Sequence, residues 1–324
     1  MLITRLFYEH CHRLREYEVR DSKKFYPSEA SAEVTINGES AVIGACLRRQ
    51  WYRWFGLFDT DTMKDPNYVL AAIEGEQLHK MVIDLLIQLC PYSKLDVIGA
   101  EVPIWDSELR VSGRVDALLR DADDNTIGLE IKTVGDYKIK EAIERPVMSH
   151  LLQAVYYLHY YRHYANKPIK KWIILYVARV ENYLTKGFRH SSPLKSYWEF
   201  EVDESTDGVT VYGGTGEAKI PWLKGSLIRA RWKKLYQYIV NEQLPPADFN
   251  ASYTEEAIYA KFIAGKLPYK NQREKVRAWI NKGMPKGGLD LDLVDDECRF
   301  CPSRSLCLAN AGIPKKTSLD DLVL

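Results

Sequence analysis

The stretch GRVDALLRDADDNTIGLEIKTV, residues 113–134, contains two strand patterns separated by an acidic turn. The apolar residues on either side of the turn predict a pair of antiparallel strands. Asp116, Glu130 and Lys132 interrupt these otherwise apolar strands. Glu130 and Lys132 are two residues apart and therefore point to one face of their strand. Pairing of the two strands would bring Asp116 near Glu130, so the stretch predicts two carboxylates and an ammonium in one site.

The residue types at this site favour hydrolysis assisted by a divalent metal ion. Carboxylate oxygens are preferred ligands of Mg²⁺ and Mn²⁺, and the main-chain carbonyl of Ile131 is a further candidate ligand. Lys132 would then orient a metal-bound water or offset charge on a scissile phosphate. A buried ion pair, or the solvated face of an antiparallel sheet, is the alternative explanation for the same charges.

The elements around the hairpin predict an α/β fold with a mixed central sheet flanked by helices. A helical stripe over 69–89 precedes a strand at 97–105. After the hairpin, a helix over 147–165 leads into an apolar strand at 172–180. The predicted order is therefore one helix, three strands, one helix and one strand.

The segments outside this core are less regular. Proline and serine residues near 25–31 predict entry into a helix that runs through 41–56. Residues 181–221 are rich in Gly, Ser and Thr and predict a hairpin insertion rather than a separate domain. Further helical patterns occupy 223–240, 254–266 and 271–283. We divide the chain into an N-terminal extension (1–40), a core domain (41–310) and a tail (311–324).

The composition limits the class of protein. The chain has 324 residues, 46% hydrophobic residues and a formal net charge of +1, so nucleic-acid binding would depend on local basic patches. It contains no run of 18 apolar residues, and its first 20 residues are too charged for a signal peptide. We expect a cytoplasmic protein, in the host cytoplasm if viral, without a membrane partner.

Three of the six cysteines are grouped near the C-terminus as Cys298, Cys301 and Cys307. Thiolates at this spacing favour a metal centre in a reducing compartment, and a fourth ligand is needed. Cys46 is the best candidate, ahead of Cys11 and Cys90. Both zinc and an iron–sulfur cluster accept four thiolates, so the spacing leaves the metal open.

Two further pairs of residues accompany the acidic motif. Gly75 and His79, in GEQLH, lie one helical turn apart, and so do Gln153 and Tyr157, in QAVYY. In the order GEQLH, GRVD, EIKT and QAVYY, the motifs resemble the PD-(D/E)xK nuclease superfamily, and in particular its RecB-like exonuclease branch. The resemblance implies a restriction-endonuclease-like fold.

The resemblance also implies roles for individual residues. Metal ligands would be His79, Asp116 and Glu130, with Lys132 catalytic, while the helix of Gln153 and Tyr157 would support the site and contact DNA. One cysteine before this core and C-x2-C-x5-C after it resemble the iron–sulfur members of the superfamily, including AddB nuclease domains and CRISPR-associated and phage exonucleases. This favours a [4Fe–4S] cluster, rather than zinc, that clamps a helical region at the chain ends.

A basic and aromatic segment follows Cys46. Its composition suits phosphate contact and base stacking, although the aromatic rings would equally suit the core. The candidate DNA-binding residues are Arg48, Arg49, Trp51 and Arg53. We therefore expect a Mg²⁺- or Mn²⁺-dependent DNA exonuclease that acts on single-stranded ends in recombination, repair, CRISPR adaptation or phage replication. The alternatives are a structure-specific endonuclease and a non-catalytic iron–sulfur scaffold that binds DNA ends.

The sequence contains no phosphate-binding GxxxxGK[ST] loop that would indicate a helicase motor. We therefore expect that a helicase or another DNA-processing protein supplies single-stranded ends, or that the ends are already frayed.

Overall fold

The computed structural model describes residues 21–57, 66–165, 167–178, 197–214, 216–267, 269–299 and 301–310. Strands β1 (Ser31–Ile36) and β2 (Glu39–Gly44) form a separate antiparallel hairpin. The other described strands form one mixed sheet in the order β3-β4-β5-β6-β7-β8-β9. They are β3 (Asp96–Asp106), β4 (Val111–Arg120), β5 (Thr126–Val134), β6 (Ile169–Ala178), β7 (Tyr197–Ser205), β8 (Gly208–Gly213) and β9 (Gly216–Ile220).

Neighbouring strands of the sheet are antiparallel except for β5 and β6, which are parallel, with Glu130 opposite Ile174. The nine described helices, in chain order, are α1 (Leu47–Trp54), α2 (Pro66–Leu89), α3 (Asp136–Glu144), α4 (Met148–His163), α5 (Gly225–Val240), α6 (Glu255–Ile263), α7 (Lys270–Asn281), α8 (Asp296–Arg299) and α9 (Arg304–Ala309). Helices α3 and α4 form the crossover between β5 and β6, because parallel neighbours cannot be joined by a tight turn.

Helices cover both faces of the sheet. Ile83 of α2 packs with Ala117, Leu119 and Ile131 on one face. Helix α4 belongs to the larger core on the other face and contacts α5 and the β1–β2 hairpin as well. Its residues from Leu151 to His159 are all buried for this reason. The predicted mixed α/β sheet flanked by helices is confirmed, and so is the antiparallel pairing of β4 with β5.

Two local predictions were wrong or incomplete. Residues 41–44 belong to β2, so the predicted helix begins only at Leu47. Gly44 has a φ of +84°, and a Cβ there would lie 2.3 Å from the Ala30 carbonyl oxygen, so the chain turns closely against the preceding segment. Helix α3 had no counterpart among the predicted elements.

The predicted insertion extends the main sheet. Strands β7, β8 and β9 form an antiparallel meander beside β6. Residues 181–196 lie outside the described part of the chain, as do residues 1–20 of the N-terminal extension and the whole 311–324 tail. Among the described helices, none is long and apolar enough to span a bilayer.

Candidate functional site

The candidate site lies where β4 and β5 separate. Their ladder ends at the Ala117–Leu129 pair, after which β4 remains paired with β3 and β5 with β6. Beyond that point the Asp116 carboxylate accepts a hydrogen bond from the Ile131 N–H, with Oδ2 2.6 Å from the nitrogen. A side chain thus satisfies a main-chain donor that strand pairing leaves free. We call this junction the fork.

Glu130, Lys132 and Gln153 form a closed triangle beside the fork. The Lys132 ammonium lies 2.7 Å from Oε1 of Glu130 and donates to Oε1 of Gln153 at 3.0 Å. The Gln153 amide nitrogen donates to the same Glu130 oxygen at 2.7 Å. The other oxygen of Glu130, Oε2, is buried without a hydrogen-bond partner. One carboxylate oxygen is therefore fixed, and the second remains available to a ligand.

The electrostatics of the fork favour the binding of a cation. Burial raises the pKa of Asp116 to about 7 and that of Glu130 to about 7, although the Lys132 ammonium acts in the opposite direction. A single ammonium therefore does not compensate for two buried carboxylates. A divalent cation would supply the missing positive charge and would find an unpaired oxygen ligand. The donor set thus fits Mg²⁺ or Mn²⁺.

His79 of α2 faces the same carboxylates. Its Nε2 lies 3.4 Å from Oδ1 of Asp116 and 3.5 Å from Oε1 of Glu101, and it makes no hydrogen bond. Burial lowers the pKa of His79, which favours the neutral imidazole that a metal requires. The helix that was predicted from GEQLH therefore brings its histidine to the fork.

Glu101 and Arg114 also belong to this site, and sequence reasoning missed both. They form an ion pair with each other, and Glu101 has a φ of +52°, which is uncommon for a residue with a side chain. Such strained positions are concentrated at functional sites. The sequence signal was weak, since an acidic residue inside β3 also suits a solvated strand face.

An open cleft of about 370 Å³ lies beside the fork. Its lining consists of Gly75, Glu76, His79, Arg114, Ile131, Lys132 and Thr133. At Gly75 a Cβ would lie 3.0 Å from the hydroxyl oxygen of Thr133, so a small residue lets α2 approach β5. Gly75 and His79 thus act together, because the first permits the approach that places the second.

Tyr157 has a supporting position. Its hydroxyl donates to the Arg114 carbonyl at 3.0 Å, and its ring stacks on Trp172 with 5.1 Å between centroids. Because the side chain is buried, the implied DNA contact is not available to Tyr157 in this structure. Gln153 and Tyr157 therefore join α4 to the two strands of the fork, Gln153 to β5 and Tyr157 to β4.

The four predicted cluster cysteines lie in one region. Electrostatic interactions connect Cys46, which precedes α1, with Cys301 and Cys307, and connect Cys298 with all three. Cys46 and Cys298 also share a small apolar cluster with Val42. Burial raises the pKa of Cys46, Cys298 and Cys307. Four thiols from the two ends of the described chain therefore interact with one another, with Cys298 buried and the other three half-buried.

The separation of these sulfur atoms bears on the kind of metal they fit. No three of the four, all within the described part of the chain, lie within 4.8 Å of one another. A tetrahedral zinc site with bonds of about 2.3 Å needs sulfur atoms about 3.8 Å apart. The four thiols therefore interact with one another but are not arranged at the spacing of a tetrahedral zinc site. All four are free thiols, as is Cys90, while Cys11 lies outside the described residues.

Arg48 was predicted to contact DNA, and its burial contradicts this prediction. Its side chain is only 1% exposed, and its Nε donates to the Pro245 carbonyl at 3.0 Å. The guanidinium also interacts with the Cys307 thiol and lowers its pKa against the larger effect of burial. Helix α1 directs Arg48 inward, towards the cysteines, so a phosphate backbone cannot reach it.

The other three residues of this basic segment differ in exposure. Arg53 forms an ion pair with Glu29 and donates to the Lys24 carbonyl. Trp51 is half-buried and packs against Phe55 with 4.5 Å between ring centroids. Arg49 is exposed. Arg49 is therefore the residue of this segment whose position best suits a phosphate contact.

Comparison with known proteins adds little to this geometry. No protein-family model matches the chain, and no curated protein matches it. One similar solved structure, "Crystal structure of SSO0001", is 17% identical with a TM-score of 0.38, covering 74% of this chain and 87% of that chain. A similarity at this TM-score carries no argument about fold or function. The chemistry of the site is therefore argued from the residues of this chain.

Proposed function

We propose that this protein is a metal-dependent DNA exonuclease with a restriction-endonuclease-like fold, of the RecB-like branch of the PD-(D/E)xK superfamily. The observation that carries the proposal is the fork, where Asp116, Glu130 and Lys132 meet beside an open cleft. Glu130 keeps one buried oxygen without a partner, which distinguishes the group from a saturated ion pair. An ordinary structural ion pair would have no need of the nearby His79.

The residues that would hold Mg²⁺ or Mn²⁺ are Asp116, Glu130 and His79, with the Ile131 carbonyl as a further candidate ligand. The metal would polarise the scissile phosphate and lower the pKa of its bound water. Lys132 lies on the same face as Glu130 and lines the cleft, so its ammonium would offset charge that develops on the phosphate. Gln153 keeps that ammonium in place through the 3.0 Å hydrogen bond.

We also propose that Cys46, Cys298, Cys301 and Cys307 bind a [4Fe–4S] cluster that joins the ends of the nuclease domain. In such a cluster each thiolate binds a different iron, so the sulfur atoms are farther apart than in a zinc site. The observation behind this proposal is that the four thiols interact electrostatically with one another. The cluster would hold the segment before α1 against α8 and α9.

DNA, preferably single-stranded, is the proposed substrate, and a helicase or another DNA-processing protein is the proposed source of its ends. The test is incubation of the anaerobically purified protein with end-labelled linear single-stranded DNA, duplex DNA, circular single-stranded DNA and RNA, with Mg²⁺ or Mn²⁺. We expect progressive shortening of linear single-stranded DNA, no cleavage of the circle, and loss of activity with a chelator.

Asp116→Asn is the inactive control, because it keeps the shape of the side chain but removes its charge. Cleavage of the circle would instead identify an endonuclease, and preferred shortening of RNA would change the substrate. Binding to DNA ends without cleavage in either metal would identify the non-catalytic scaffold and refute the proposal.

A further inference from the structure

A second group of metal-binding side chains lies apart from the fork and from the cysteines. His159 and His163 are one turn apart on α4, and Glu204 lies near the end of β7. One ligand atom from each lies within 4.8 Å of the other two. The Nδ1 atom of His159 is 3.1 Å from Oε2 of Glu204, and the two imidazole rings are 4.5 Å apart between centroids.

The carboxylate of Glu204 is held in a fixed orientation. Its Oε1 accepts a hydrogen bond of 2.6 Å from the N–H of Gly225, the first residue of α5. A Cβ at Gly225 would lie 2.3 Å from the Cβ of His159, so glycine allows α5 to begin directly against the histidine. Three elements, α4, β7 and α5, therefore fix Glu204 and His159, and Oε2 accepts a hydrogen bond from Nδ1 of the imidazole.

We propose that His159, His163 and Glu204 form a binding site for a divalent transition-metal ion, with Zn²⁺ as the best fit. Two imidazoles and a carboxylate are a common three-ligand set for zinc that leaves a position for water. Ligand atoms in a tetrahedral centre with bonds of about 2.0 Å are about 3.3 Å apart, close to the observed nitrogen–oxygen distance. Imidazole ligands favour Zn²⁺ over Mg²⁺, which prefers oxygen.

The surroundings are compatible with a cation. The Gly225 N–H is the kind of outer hydrogen bond that orients a ligating carboxylate. The guanidinium of Arg162 donates to the main-chain oxygen of Glu204, and its charge is engaged by Asp203 at 2.8 Å. His163 is exposed, so the ion would exchange with solvent. Because β6 lies between β7 and β5, this site and the fork are separate, and the proposal does not depend on the nuclease assignment.

The test is equilibrium dialysis of chelator-treated protein against Zn²⁺, with bound zinc counted per chain. His163→Ala is the main variant, because an exposed side chain can be removed without disturbing the core. We expect it to bind one zinc ion fewer than the wild type, and Glu204→Gln to do the same. His79→Ala and Asp116→Asn, which alter the fork, should keep the zinc that His163→Ala loses.

Cu²⁺ provides an independent spectroscopic measurement. Its electron paramagnetic resonance spectrum should contain a component with two nitrogen ligands in the wild type and should lose that component in His163→Ala. Equal zinc stoichiometry and affinity in the wild type and His163→Ala would overturn the proposal. Loss of the same ion in His79→Ala would assign it to the fork and would also overturn it.

Discussion

The fork and the cysteine region are built in opposite ways. The residues of the fork come from 79–153, and strand pairing and short hydrogen bonds hold them in place. The cysteines come from position 46 and from 298–307, and two of them, Cys46 and Cys298, meet in a small apolar cluster with Val42. The fold therefore determines the geometry of the fork by itself, whereas the cysteine region would depend much more on a bound metal group.

The two regions also differ in how readily their side chains lose the protons that a metal must displace. At the fork, burial places the pKa of Asp116 and of Glu130 at about 7, so the carboxylates ionise near neutral pH. In the cysteine region, burial raises the pKa of Cys46 well above the usual range of a thiol. Metal binding requires deprotonated ligands in both places. We therefore expect a metal ion at the fork to exchange with solvent. At the cysteines we expect binding only where a metal cluster is assembled on the thiolates.

The largest expected effect is the loss of the cysteine clamp. Cys46 and Cys298 are 252 residues apart in sequence, so a cluster that joins them closes a very long loop. By the chain-entropy model, such a cross-link stabilises the fold by about 5 kcal/mol. A [4Fe–4S] cluster would colour the anaerobically purified protein brown. Cys46→Ser should abolish this colour and lower the free energy of unfolding by up to that amount, as measured by denaturant titration.

Cys90→Ser is the matched control for this experiment, because Cys90 directly follows α2, outside the proposed clamp. It should keep both the colour and the stability. A brown Cys46→Ser protein would exclude Cys46 as the fourth ligand, and a colourless wild type with one zinc ion bound by these cysteines would exclude the iron–sulfur cluster.

The second effect concerns catalysis at the fork. On the proposed function, Lys132→Ala should reduce single-strand cleavage by roughly 10²- to 10³-fold, because it removes a positive charge that would offset charge on the scissile phosphate. Gln153→Ala should reduce it less, by about 10- to 100-fold, because this amide only positions Lys132 and Glu130. Cleavage rates at saturating Mn²⁺ measure both effects, and circular dichroism checks the fold.

Lys170→Ala is the control for charge, since this exposed lysine lies near the start of β6, at the opposite end of the β5–β6 ladder from Lys132. It should cleave at the wild-type rate. A wild-type rate in Lys132→Ala would contradict the assignment of the motif, whereas equal losses in Lys132→Ala and Gln153→Ala would contradict only their ranking.

The third effect is a pH dependence of stability without metal. Glu130 has a pKa of about 7 in the folded protein against 4.5 for an ordinary glutamate. The folded state therefore keeps a proton that the unfolded chain releases, and the Glu130 contribution to stability falls as pH rises from about 4.5 to about 7. Glu130→Gln cannot titrate, so the wild type should lose more stability than this variant between pH 5 and pH 8.

Thermal denaturation in the presence of a chelator measures this difference, and Mn²⁺ should restore the stability of the wild type at pH 8. Parallel pH profiles for the wild type and Glu130→Gln would show that Glu130 ionises normally. In that case the electrostatic argument for a cation at the fork would fail, although the geometric argument would remain.

The sequence was most informative where a local pattern of residues is enough to determine which residues make contact in the fold. The two strand patterns and the acidic turn in residues 113–134 were sufficient to predict the β4–β5 hairpin and the proximity of Asp116 and Glu130. It could not identify Glu101, because the positive φ that accompanies its position at the fork is a tertiary property. Residues 41–44 were read as helix because a short apolar run becomes a strand only through its partner, β1.

Burial of charge was the other property that the sequence did not reveal. The segment after Cys46 carries interleaved basic and aromatic residues, yet Arg48 is buried while Arg49 is exposed. Their positions on α1 differ by one residue, or about 100° of rotation, which is enough to separate the core from solvent. Composition alone could not assign one arginine to the cysteine region and the other to the surface.

The smallest expected effect is on DNA binding. It is tested by comparing Arg49, on the surface, with its neighbour Arg48, in the cysteine region. Arg49→Ala should weaken binding of single-stranded DNA several-fold and reduce the salt dependence of binding by about one ion, because it removes one phosphate contact and leaves the fold intact. Arg48→Met should instead destabilise the protein, because the Pro245 carbonyl and Cys307 lose a buried partner. Fluorescence anisotropy at several salt concentrations and thermal denaturation measure the two effects. Normal salt dependence in Arg49→Ala would remove α1 from the DNA path, and unchanged stability in Arg48→Met would show that the buried guanidinium supports neither contact.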